Sequence, residues 1–192
     1  MTATKQLRAD ARRNRDALIA AARHVFDAGD VELRFDDFAR LAGVGTGTLY
    51  RHFPTREALA EAVYQEEIDS LCERAGELQD AMPAEEALEA FLHGMVDHME
   101  SQKGLGATLA VLLSGSTTAI ADGTRKLTSA VDALVTAAAA AGTIRKDIGA
   151  GAVLLALHGI GTAYGQPGWR PDADGMITLL MDGMRTTGSG SS

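Results

Sequence analysis

The chain has 192 residues, a single cysteine and a net charge of −8, long enough for one compact core or a small module fused to a larger body. The lone Cys72 excludes a disulfide framework and a cysteine-based zinc site. The N-terminus is polar, without the apolar stretch of a secretion signal, and no apolar run approaches the roughly 20 residues that span a bilayer. A soluble, cytoplasmic chain with no membrane partner is expected.

The charge is uneven. Residues 1–60 carry ten Lys and Arg against eight Asp and Glu, a balance of +2, which leaves −10 for the remainder. A mildly basic first part on an acidic body suits a polyanion-binding head, although an ordinary solvated surface explains the asymmetry equally well. Abundant alanine and only four prolines favour helix.

In chain order, residues 1–9 are expected to form a loose arm. A first helix starts at Asp10, with Leu18, Ala21, Ala22, Val25 and Phe26 on one face and Gly29 as its stop. A short helix over 35–42 is closed by Gly43, and another over 45–53 ends before Pro54. Thr55 caps a long fourth helix, with Glu57 in its first turn and Leu59, Val63, Ile68 and Leu71 along its apolar side. Pro83 opens a fifth, with Leu88, Phe91, Leu92, Met95 and Met99 inward. Further helices are expected over 104–113, 117–141, 147–165 and 172–185. Nothing alternates as a strand bounded by hairpin turns. The reading is all-α, about nine helices, with a three-helix head at 10–54, a body at 55–185, and a Gly/Ser-rich disordered tail at 186–192.

The informative stretch is 35–53. Two short helices meeting across a tight turn need a small residue where they approach, which Ala39 supplies, and a turn residue tolerant of positive φ, which Gly43 supplies. Phe38, Val44, Leu49 and Phe53 then pack against Leu18 and Val25. This leaves Thr46, Gly47, Thr48, Tyr50, Arg51 and His52 outward. Hydroxyls can bond base edges or phosphates, a Thr methyl can meet a thymine methyl, and Arg51 and His52 can meet phosphates. A plain three-helix subdomain with an incidental polar face fits the same pattern.

Enzymatic readings find no support, and no metal or cofactor is expected. His93 and His98 diverge by about 140° around a helix, so they do not converge on a metal. The Ser114-Gly115-Ser116 run lacks a nucleophile-elbow pattern. The glycines at 43–47 and 159–161 complete no dinucleotide fingerprint.

The run Leu41-Ala42-Gly43-Val44-Gly45-Thr46-Gly47-Thr48-Leu49-Tyr50-Arg51-His52-Phe53, followed by Thr55-Arg56-Glu57-Ala58-Leu59, resembles the signature of the TetR/AcrR family of bacterial transcriptional regulators. The likeness covers residues 13–63, with Ile19-Ala20-Ala21-Ala22 and Phe26 matching in the leading helix. It implies a dimeric repressor bound to a palindromic operator on double-stranded DNA. Thr46, Gly47, Thr48 and Tyr50 would face the major groove, while Tyr50, His52 and the region of Arg56 would hold the backbone. One departure stands out: Arg34 occupies the place where the family has a capping Ser or Thr. A guanidinium can reach phosphate but cannot cap. Arg13, with Arg8, Arg12 and Arg15, is a further candidate contact as part of an arm entering a minor groove.

In the body, Ala152, Ala156, Gly159 and Ala163 recur at spacings that allow close helix approach. With Leu155 and with Ile177, Leu180 and Met184 of the last helix they are assigned to a homodimer interface; internal packing is the competing reading. The family plan also implies an unknown small-molecule effector, for which His93, Met95, His98, Met99, Leu109, Leu112, Leu113, His158 and Trp169 are candidates. Their paucity of charge points to a largely apolar effector. The alternative function is a helical ligand-binding or protein-interaction module without DNA readout.

Overall fold

The computed structural model describes residues 2–30 and 32–186. Among them, the chain forms helices α1 (Thr2–Asp27), α2 (Phe35–Leu41), α3 (Thr46–His52), α4 (Arg56–Ala81), α5 (Ala84–Ser101), α6 (Lys103–Leu112), α7 (Thr117–Ala140), α8 (Ala150–Thr162) and α9 (Trp169–Met184). The only pairing of extended backbone among the described residues is an isolated antiparallel bridge between Ile144 and Arg185. The all-α reading therefore holds. The tail beyond residue 186 lies outside the described residues. The expected arm does not: α1 already begins at Thr2. Residues 2–9 contain no Gly or Pro and several strong helix formers, so nothing stops the helix from extending backward past Asp10.

The helices fall into two compact units, residues 1–67 with 102–121, and residues 68–101 with 122–192. This division differs from the expected boundary at residue 55. The first unit takes half of α4 and the whole of α6, a helix that the sequence reading had assigned to the body.

In the first unit, Leu18, Ile19, Ala22 and Phe26 of α1 share one core with Phe38 of α2, Leu49 of α3, Phe53, and Leu59 and Val63 of α4. Phe26 and Phe38 meet edge to face with ring centroids 5.6 Å apart, a geometry favoured by the ring quadrupoles. The turn between α2 and α3 is made as anticipated. Gly43 sits at φ +68°, and the Val44 amide donates to the Ala39 carbonyl at 2.9 Å. Thr55 caps α4, its Oγ1 accepting from the Ala58 amide at 3.1 Å. Arg34 occupies the cap position of α2 without any side-chain capping bond, as its chemistry requires.

α6 completes this core with Leu105, Leu109 and Leu113, and with Leu112 partly buried beside them. Its backbone comes so near α1 that a Cβ on Gly104 would lie 1.8 Å from the Asp27 carbonyl oxygen. The Thr108 hydroxyl donates to the Phe26 carbonyl at 2.8 Å, and the Leu105 amide donates to Asp27 Oδ1 at 3.3 Å. These two bonds tie α6 to the C-terminal end of α1, where the Phe26 carbonyl also accepts from the Gly29 amide.

The second unit is a helical layer around Leu88, Phe91, Leu92 and Val96 of α5, Val131, Leu134 and Val135 of α7, Val153 and Leu157 of α8, and Ile177, Met181 and Met184 of α9. Two arginines tie α9 to α5. Arg170 meets Asp97, Glu100 and Asp174 at 2.7–3.0 Å. Arg185 meets Glu85, Glu89 and Asp182 at 2.6–2.8 Å. Shared carboxylates raise both guanidinium pKa values above their ordinary range, so both stay charged at any accessible pH.

Candidate nucleic-acid interface

α3 has seven residues, and its single fully buried side chain is Leu49. At 100° per residue, Leu49 and the following Phe53 define the inward direction. Gly47 and Arg51 then stand opposite, flanked by Thr48 and Tyr50. Thr46, Gly47, Tyr50 and Arg51 are exposed, while Thr48 and His52 are half-buried. His52 lies against Phe53 with ring centroids 6.2 Å apart. No atom within 4 Å would meet a Cβ on Gly47, so the centre of this face is open to a close surface. Gly47, Arg51 and Tyr50, with Thr48 at its edge, thus make the outward face of one short helix, and Thr46 and His52 lie at its flanks.

The arginines divide into free and engaged groups. Arg34 and Arg51 are exposed and make no ion pair among the described residues. Arg56, expected at phosphate, is half-buried and donates to the Leu33 carbonyl, its guanidinium 5.6 Å from the Phe38 ring centroid. That bond fastens the chain entering α2, so Arg56 is a structural residue of the head. Arg13 is paired with Asp10 one turn earlier. Arg15 lies 5.7 Å from the Phe53 ring centroid and 3.7 Å from Glu66. The segment expected to form an arm is already part of α1.

Tyr50 has a partner that sequence reasoning missed. Its hydroxyl donates to Asp36 Oδ1 at 2.8 Å, and its ring stands edge-on to Phe35 at 5.4 Å. The Asp36 carboxylate accepts this proton and holds it in place, raising the phenol pKa above its ordinary value. No pattern of spacing marks a pair fourteen positions apart on separate helices.

The residues assigned to an effector site are distributed over both units. Leu109, Leu112 and Leu113 belong to the first unit's core, while Met95 is in the second unit's core with Met99 packed against it. His93 is held by Asp174 at 3.3 Å, His98 is half-buried and His158 is exposed. Trp169 donates from Nε1 to the Ile160 carbonyl at 2.7 Å and meets Tyr164 edge-on at 4.7 Å. Of the whole set, Trp169 alone lines the described apolar cavity. This is a groove of about 370 Å³ between α8 and α9, bordered also by Ala156, Gly159, Ile160, Ala163 and Met176.

The assigned dimer residues divide by burial. Ala152, Leu155, Gly159 and Ala163 form one exposed face of α8 with Ala156 half-buried at its edge, and Leu155 is 72% exposed. Ile177 and Met184 are 0% exposed inside the unit's own core, which removes them from any partner's reach; Leu180 is half-buried. The exposed apolar residues of α9 are Met176 and Leu179. α9 carries apolar residues on two faces, and periodicity cannot tell which of them is turned inward. Among the described residues, no helix is long and apolar enough to cross a membrane. None of their His, Cys, Asp and Glu side chains cluster in a way that could hold a metal.

Residues 18–63 match the family described as bacterial regulatory proteins of the tetR family. Residues 83–186 match the C-terminal domain of SbtR-like transcriptional regulators. A TetR transcriptional regulator from Streptomyces coelicolor is 39% identical and superimposes with a TM-score of 0.71 over 90% of this chain and 99% of its own. A TetR regulatory protein from Mycobacterium vanbaalenii is 30% identical, with a TM-score of 0.71 over 94% and 99% of the two chains. A curated HTH-type transcriptional regulator of Staphylococcus aureus is 30% identical over 69 residues, and that match spans only 35% of this chain and 36% of the relative. Bacillus subtilis FadR, solved in complex with stearoyl-CoA, is 17% identical with a TM-score of 0.70, covering 88% of this chain and 98% of its own, and so shares the fold.

Proposed function

This chain belongs to the TetR family of bacterial regulatory proteins, and from that premise we propose that it is a dimeric repressor that binds a palindromic operator and is released by a small molecule. The observation that carries the reading is the outward face of α3. A helix too short to stand alone is held from behind by Leu49 and Phe53, and it offers only Thr46, Gly47, Thr48, Tyr50, Arg51 and His52. The hydroxyls and Gly47 suit base edges on the groove floor, while Arg51, and Arg34 at the start of α2, suit phosphate.

Replacing Tyr50 by Phe together with Thr48 by Ala is expected to weaken operator binding at least 30-fold, on the order of two lost groove contacts. The oligomeric state stays as it was. A salt-titrated mobility-shift assay reads the result, and unchanged affinity would leave α3 without a reading role.

One head makes too few contacts for a specific site, so two heads about 34–36 Å apart, or a multiple of that, are the natural solution. The exposed face of α8 with Met176 and Leu179 of α9 supplies an apolar patch for a second copy. A charge placed in this patch would be stranded in the interface. The double substitution of Leu155 and Leu179 by Glu is therefore expected to yield a monomer in light scattering. Operator affinity would fall with it, while the melting temperature changes by only a few degrees. A variant that remains dimeric would move the interface elsewhere.

For release, α6 is the natural route. It is covalently joined to α5 and α7 while its side chains fill the head's core. FadR of B. subtilis, with its stearoyl-CoA, supports an apolar effector by fold alone.

A further inference from the structure

The bond between Tyr50 and Asp36 determines what Tyr50 can say to DNA, given the reading just proposed. A phenol has one proton to donate and lone pairs to accept with. A carboxylate has no proton at neutral pH, so the 2.8 Å contact commits the phenol proton to Asp36. Phe35 stands edge-on to the ring at 5.4 Å, which keeps the phenol oxygen within reach of Asp36. What remains toward the outside is lone pairs alone, on a side chain that is 50% exposed. Phosphate oxygens are acceptors too, so a phosphate would face lone pairs and a neighbouring negative charge. In the major groove the groups that donate are the N6 amino group of adenine and the N4 amino group of cytosine.

We propose that Asp36 makes Tyr50 an acceptor-only group, so that Tyr50 reads an exocyclic amino group of adenine or cytosine in the major groove instead of gripping the backbone. Asp36 acts through Tyr50 and is a specificity-positioning residue. This reverses the backbone role that the family resemblance implies for Tyr50.

The test uses the full chain. A random-sequence duplex pool defines the preferred operator, and each operator position is then replaced in turn for shift assays with wild type and variants. At one position per half-site, the wild type is expected to prefer an amino-bearing base by about tenfold. Tyr50→Phe erases that preference. Asp36→Ala erases it too, because the freed proton lets the phenol turn to phosphate, and binding to unrelated duplex holds or rises. Asp36→Asn keeps the preference, since its amide carbonyl still accepts the phenol proton. Both residues are exposed, and unchanged melting temperatures verify that the head remains folded. A Tyr50→Phe loss spread evenly over all replacements, or an Asp36→Ala variant with the wild-type preference, overturns this inference and leaves the DNA reading intact. A wild-type chain that enriches no sequence overturns both.

Discussion

Gly104→Ala is expected to lower the stability of the head by about 3 kcal/mol, the upper end of ordinary overpacking costs. The added Cβ would sit 1.8 Å from the Asp27 carbonyl oxygen. That oxygen is backbone and cannot swing aside as a flexible side chain could. The seam is also pinned on both sides of the clash, by Thr108 on the Phe26 carbonyl and the Leu105 amide on Asp27. Relief therefore requires α6 to lift, which exposes part of Leu105, Leu109 and Leu113 and strains both bonds. Gly106→Ala is the control. It lies on the same helix with nothing within 4 Å of the new methyl, and helix propensity makes it neutral or stabilising by up to about 1 kcal/mol. Chemical denaturation of the two variants side by side separates a steric seam from a general effect on α6. Equal stability of both would mean that α1 and α6 are not packed backbone to backbone.

The second large effect belongs to Leu49. An isolated helix shorter than about 12 residues is marginal in water, and α3 has seven. Its order must come from packing, and Leu49 is the one fully buried side chain within it, at 0% exposure. Leu49→Ala should cost about 3 kcal/mol by lost transfer and an unfilled cavity. Hydrogen exchange of the α3 amides should quicken first, since the remaining anchor, Phe53, lies beyond its last turn. DNA binding is expected to fall at least 100-fold even where the head stays folded, because the contact residues no longer share one face. Thr48→Ala makes the contrast. As a surface change it should alter stability by less than about 0.5 kcal/mol and act on DNA binding alone. If Leu49→Ala keeps full affinity, the reading surface is not α3.

The head was largely legible in the sequence because its determinants are local. Gly43 marks a turn that needs positive φ, Thr55 marks a helix start, and Leu18, Phe26, Phe38, Leu49 and Phe53 fall on inward faces by helical spacing alone. What escaped is what depends on the third dimension. Arg56 and Arg51 look alike in sequence, yet one is spent on the Leu33 carbonyl and the other is exposed. Asp36 reads as an ordinary first-turn acid of α2, and its bond to Tyr50 exists only once the two helices cross. The α6 leucines are effector candidates only through the family plan, yet they pack in the core of the first unit. Gly104 is the residue that lets them face α1 instead. Similarly, Ile177 and Leu179 are both apolar and two positions apart, but one is core and the other is 67% exposed.

These distinctions matter because they narrow the surface that would meet DNA. Arg56 is turned to the Leu33 carbonyl, Arg13 pairs with Asp10 on the surface and Arg15 with Phe53 and Glu66, while Arg34 and Arg51 are exposed and make no ion pair among the described residues.

The central claim is that two copies of the α3 face read a two-fold operator. Its most direct measurement is selection of bound duplexes from a random-sequence pool by the intact chain at near-physiological salt. The account predicts enrichment of an inverted repeat whose half-sites are about one helical turn, or a multiple of it, apart. Recovery of sequences with no common motif, or of a single half-site without its inverted mate, would contradict it.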